Sequence, residues 1–86
     1  MIYANKRSEM EIIYEILSYA IDDINKTRLM YKTNLCYTLF DSYWTFLLEK
    51  EFLGIKQGNP VGKLYYTTDK GKNFLLDINT VLYNVK

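Results

Sequence analysis

Eighty-six residues, 49% hydrophobic and 16% aromatic, suffice for one small domain with a real core and are too apolar for a disordered chain. Eleven Lys and Arg against ten Asp and Glu leave a net charge of +1, which excludes a polybasic chain; any nucleic-acid binding must come from local placement of charge. One cysteine and no histidine exclude an internal disulfide and the Cys/His zinc constellations.

No apolar run approaches the ~18–20 residues of a membrane span, and no signal peptide is visible. The expectation is a cytoplasmic protein with no membrane or metal partner and no cofactor. No Ser or Cys has a His to activate it, and no glycine-rich phosphate loop is present, so enzymatic chemistry is not expected.

Residues 1–7 are a short lead-in. Ser8 with Glu11 three positions on is a capping-box signature opening a helix over residues 8–24. Its apolar stripe is Ile13, Ile16, Leu17, Ala20, Ile21 and Ile24, and it should end near Asp22 to Asn25. Thr27 can cap a short second helix over 28–33 with Leu29 and Met30 inward, and Asn34 suits a left-handed position after it. A third helix then runs from about 37 to 50, its core side carrying Phe40, Tyr43, Trp44, Leu47 and Leu48.

At residue 52 the period changes. Residues 52–57 read as a strand, GNPVG as a loop and KLYYT as a second strand, together a hairpin with a five-residue tip. Thr68 caps a last helix from Asp69 to the C-terminus, with the Asp69 carboxylate favourable at its positive end.

Helix, helix, helix, hairpin, helix is the winged helix-turn-helix order, an α+β fold. KRSEMEIIYEIL, TRLMYKTNLCY, YWTFLLEKEFL and YYTTDKGKNFL resemble, as a spaced set, the archaeal winged-helix transcriptional regulators that include small dimeric chromatin-associated proteins. The resemblance runs from Lys6 onward and implies a winged domain over 8–68 followed by a dimerisation helix over 69–86. It also shows three departures. Cys36 stands where a Ser would cap the recognition helix, and a thiol caps poorly. Thr67 stands where the family has an inward Leu. Positions 38, 39 and 41, often Lys or Gln in relatives, are Thr, Leu and Asp.

The third helix is therefore the candidate DNA reader, although residues 37–49 hold no positive charge. Tyr37, Thr38, Asp41, Ser42 and Thr45 should face outward. Their hydroxyls can bond bases or phosphates, and Asp41 can accept from cytosine N4; the same residues also suit any solvated helix face. Candidate phosphate contacts are Lys26, Arg28 and Lys32 around helix 2, Lys56 and Lys63 beside the hairpin tip, and Lys6 and Arg7 before helix 1. Asn59, with Pro60, would stiffen a tip that enters the minor groove.

Phe74, Ile78, Val81 and Val85, widened by Leu75 and Leu82, form an a/d-type seam on the last helix. A homodimer binding double-stranded DNA as a transcriptional regulator is the leading expectation. Two others share the fold: an architectural protein that coats DNA, and a protein-interaction module using an exposed Leu39. Cys36 reads as a structural thiol rather than a nucleophile.

Overall fold

The computed structural model describes residues 7–58 and 62–83. Four helices and a two-stranded antiparallel hairpin follow in the expected order: α1 Glu9–Tyr19, α2 Lys26–Thr33, α3 Tyr37–Glu49, β1 Leu53–Gln57, β2 Lys63–Thr67 and α4 Asp69–Tyr83. The fold is α+β, and the hairpin pairs Leu53 with Thr67 and Gln57 with Lys63.

The capping box of α1 forms in full. The Ser8 hydroxyl accepts from the Glu11 N–H at 3.1 Å, while the Ser8 N–H donates to the Glu11 carboxylate at 2.8 Å. The helix stops at Tyr19, earlier than the apolar stripe suggests, because β2 takes over its last carbonyls. Thr67 donates its hydroxyl to the Leu17 carbonyl at 2.7 Å and its N–H to the Ala20 carbonyl at 3.0 Å. Groups that would be orphaned at a helix end are thus satisfied from a neighbouring strand. This accounts for a polar residue at 67, where Leu was the expectation from relatives. Once the helix has ended, the stripe loses its phase. Ile21, expected inward, lies exposed, whereas Ile24 stays buried through a two-way backbone bridge to Tyr65.

Asn25, not Thr27, caps α2. Its backbone is extended, and its side chain accepts from the Arg28 N–H at 2.9 Å; Asn is also the stronger capping residue. Asn34 adopts the left-handed conformation (φ 57°, ψ 38°) and turns the chain into α3. As expected of a thiol, Cys36 makes no side-chain cap bond; it is exposed.

Phe40, Trp44 and Leu47 of α3 are buried, and Tyr43 and Leu48 pack half-buried against the same cluster. Leu39, expected to be exposed, is also half-buried there. Trp44 stacks on Phe40 and meets the Tyr65 ring edge-on at 4.3 Å, which ties α3 to the hairpin.

The Thr68 hydroxyl accepts from the Gly71 N–H at 2.9 Å and so caps α4. Gly71 is buried against the Phe52 carbonyl, and a β-carbon there would strike that oxygen. Ile78, fully buried, brings α4 into the common core with Ile12, Ile16 and Leu17 of α1.

Candidate nucleic-acid interface

The outward side of α3 is built by its own periodicity. With Phe40, Trp44 and Leu47 committed to the core, Tyr37, Thr38, Ser42 and Thr45 are exposed and Asp41 is half-exposed. The Ser42 hydroxyl donates to the Thr38 carbonyl at 3.2 Å, which leaves its lone pairs free to accept.

Asp41 does not stand alone. The Lys26 ammonium, reaching from the first residue of α2, lies 3.5 Å from its carboxylate. The same ammonium is 5.3 Å from the Trp44 ring centre and 5.9 Å from that of Tyr37. Two residues assigned to different tasks by sequence, one to phosphate and one to bases, therefore pair with each other.

Two other expected phosphate contacts are also engaged. Lys56 of β1 pairs with Asp23 in the α1–α2 connection and lies over the Tyr66 ring. Arg7 turns inward: one terminal nitrogen meets the Glu15 carboxylate of α1 and the other donates to the Thr33 carbonyl at the end of α2, 2.9 Å away. With its side chain only 19% exposed, Arg7 is a clamp between helices rather than a cation facing outward. The sequence reading placed Arg7 among the outward phosphate contacts; the structure holds it inward, with two of its five N–H groups engaged.

Arg28, Lys32 and Lys63 remain exposed, and none of them forms an ion pair among the described residues. Arg28 and Lys32 line a groove of about 430 Å³ with Tyr19, Asp22, Asp23 and Leu64, and Lys32 rests over the Tyr19 ring. Tyr31, on the outer face of the same helix, is 74% exposed, and sequence reasoning passed over it. The signal was present: with Leu29 and Thr33 inward, position 31 has to point out. Lys6 and Asn59 lie outside the described residues.

A second groove of about 430 Å³ runs between α1 and α3, lined by Ile13, Leu39, Tyr43 and Phe46 with Glu9 at its rim. Burial, and then the Glu9 carboxylate, push the Tyr43 hydroxyl above the ordinary tyrosine pKa.

On α4 the expected seam is out of phase with the surface. Ile78 is buried within its own chain and is unavailable to a partner; Phe74 stacks on Phe52 at 4.4 Å, and Leu75 and Leu82 are half-buried. Val81 is exposed, and so are Leu76 (64%) and Tyr83 (55%), which the seam did not include. Val85 lies outside the described residues. Among the described residues no cluster of His, Cys, Asp and Glu could hold a metal ion, and no helix is long and apolar enough to cross a membrane.

Comparison with known proteins agrees with this fold. Sso10a-2, described as a DNA-binding protein from Sulfolobus solfataricus, superposes with a TM-score of 0.75 at 30% identity, over 88% of this chain and 79% of that one. F-93 of SSV1 has the same fold, with a TM-score of 0.70 at 23% identity over 95% and 94% of the two chains. The uncharacterized protein MJ0290 of Methanocaldococcus jannaschii is 35% identical over 77 residues, 88% of this chain. The chain spans about a third (34%) of that relative's length. A family profile described as winged helix-turn-helix matches residues 6–85, nearly every position from the clamp at Arg7 to the end of α4, and the chain belongs to that family.

Proposed function

We propose that this chain binds double-stranded DNA, with α3 in the major groove, α2 on the phosphates and the hairpin over the minor groove, and that it acts as a homodimeric transcriptional regulator. The observation that carries the reading is an outward α3 face rich in hydroxyls, together with the α2 cations Arg28 and Lys32, which form no ion pair among the described residues. Neutral hydroxyls at Tyr37, Thr38, Ser42 and Thr45 are suited to base edges, while the cations of α2 are suited to phosphates. The DNA-binding description of Sso10a-2 supports the same assignment.

The dimer half of the proposal rests on α4. Leu75, Leu76, Asn79, Leu82 and Tyr83 share one flank at i, i+1, i+4, i+7 and i+8, and of these Leu76 and Tyr83 are exposed. A second copy covering this flank would remove apolar side chains from water, and a twofold pair would present its two α3 helices about one DNA turn apart.

Fluorescence anisotropy with random and selected duplexes at several salt concentrations tests the whole reading. A regulator shows a steep salt dependence and an enriched sequence; an architectural protein shows the first without the second. No binding at low salt would refute DNA recognition. Sedimentation equilibrium of wild type and Leu76→Asp tests the dimer, which the charged variant should split. The apolar groove at Leu39, Tyr43 and Phe46 favours one other reading, a protein-docking module, and binding to no duplex would turn attention there.

A further inference from the structure

We propose that Lys26 and Asp41 form an exchangeable pair: a DNA phosphate takes the ammonium, and the carboxylate so released selects bases that present an exocyclic amine. This rests on the reading of the α2–α3 face as the DNA-docking surface, and gives Asp41 the role of a specificity-determining residue.

The pair is loose. Lys26 Nζ lies 3.5 Å from one carboxylate oxygen of Asp41, against about 2.7–2.9 Å for a tight charge-assisted bond. Its two side chains are 35% and 45% exposed, so water and salt weaken the contact. Arg7 differs in every respect, being fork-bonded to two partners and turned inward.

The rings beneath Lys26 keep the ammonium at the seam between the two helices. Trp44 is buried and fixed between Phe40 and Tyr65, whereas Tyr37 is 63% exposed. Ring faces attract a cation without supplying an anion that a phosphate would have to displace. Among the described residues Asp41 alone pairs with Lys26 and competes with the phosphate, and a four-carbon stem lets the ammonium turn outward without moving the backbone.

Exchange changes what α3 shows to DNA. While paired, Asp41 presents a cancelled charge. Once Lys26 has gone to a phosphate, an uncompensated carboxylate faces the groove and needs a donor. Major-groove edges offer donors only at cytosine N4 and adenine N6; guanine and the thymine oxygen offer acceptors, which repel it. A non-specific contact thereby exposes a discriminating one.

The test uses the full chain and short fluorescent duplexes. Lys26→Met should lower the magnitude of the log–log salt slope by about 0.9, the share of one phosphate contact. Asp41→Asn should leave the slope unchanged and tighten binding to random duplexes roughly two- to fivefold. Asp41→Ala should flatten the base preference recovered by selection and sequencing at the position facing α3, whereas the Asn variant, able to pair with adenine N6 and N7, should shift it towards adenine. Circular dichroism confirms that each variant is folded, and Lys26→Gln, which keeps much of the stem, reads the same slope if the Met variant is not. A slope unchanged in both Lys26 variants would overturn the exchange, because the ammonium would then stay with Asp41 in the complex. A base preference that survives Asp41→Ala would overturn the base-reading step. A wild-type chain that binds no duplex at low salt would instead remove the docking surface itself, and the exchange with it.

Discussion

The basic residues on the outer face of α2 and those at the edges of the domain are chemically alike and locally opposite. At the edges, Arg7 meets Glu15 and Lys56 meets Asp23; on the α2 face, Arg28 and Lys32 meet no carboxylate within ion-pair distance among the described residues. A chain with a net charge of +1 can present a positive face only if its carboxylates are spent elsewhere. Whether a cation is held by a carboxylate is set by its local partners, not by its position in a motif. Lys26 stands between the two groups, paired but loosely.

The largest effect should come from Arg7→Ala. Losing the bonds to Glu15 and to the Thr33 carbonyl leaves a carboxylate and a helix end without their partner, at a cost of about 2 kcal/mol. For a domain of this size that lowers Tm by on the order of 10 °C. Thermal unfolding followed by circular dichroism measures it. The salt slope of DNA binding, taken well below Tm, should match wild type, and a slope lower by about 0.9 would move Arg7 into the group of phosphate contacts.

Arg28→Ala should do the reverse. An exposed side chain with no partner contributes little to folding, so stability should stay within about 0.5 kcal/mol of wild type. The salt slope should fall by about 0.9, and affinity should fall to a similar degree on every sequence. A change in sequence preference without a change in slope would mean that Arg28 reads bases, and the contrast with α3 would have to be redrawn.

Much of the fold was legible because its signals are local. The capping box at Ser8 and Glu11, the left-handed Asn34, the two strands around GNPVG and the Thr68 cap each involve residues a few positions apart. Phe40, Trp44 and Leu47 could likewise be placed inward from spacing alone. Apart from the α2 cap, where Asn25 rather than Thr27 bonds the Arg28 N–H, the misreadings came where a distant element intervened. Ile21 continues the stripe of α1 in sequence, but the helix has already surrendered its carbonyls to Thr67, 50 residues away from Leu17. The Arg7 bond to Thr33 spans 26 positions and the Lys26 contact with Asp41 spans 15, so neither leaves a periodic trace. Ile78 was assigned to a partner because an apolar helix seam looks the same whether its own domain or another copy covers it. For the candidate site, then, sequence indicated which face of α3 is free but not which cations remain free beside it.

Lys56→Ala probes the intermediate case. Its pair with Asp23 is exposed at both ends, so removing it should cost no more than about 1 kcal/mol. Urea titration measures that loss. The released Asp23 lines the same groove as Arg28 and Lys32, and its uncompensated charge should weaken DNA binding even if Lys56 itself touches no phosphate. Asp23→Asn in the same background separates the two causes. If the weakening persists, Lys56 is a contact; if it disappears, the carboxylate was responsible.

The smallest effect concerns a carboxylate with no cation partner among the described residues. Glu9, at the start of α1, faces Tyr43 across the apolar groove and adds to a pKa already raised by burial, the larger of the two causes. Because the folded protein favours the neutral phenol more than the unfolded chain does, this contribution is complete below the ordinary tyrosine pKa near 10. It is lost as pH rises through the raised value. Around neutral pH it is therefore fully present and does not vary with pH. Glu9→Gln should lower the Tyr43 ionisation midpoint, followed by NMR of ring-labelled tyrosine, without returning it to the ordinary value, since burial remains. A full return would make the carboxylate the dominant cause. It would also imply that the groove at Leu39, Tyr43 and Phe46 is wetter than its apolar lining suggests, which would weaken the case for a protein partner there.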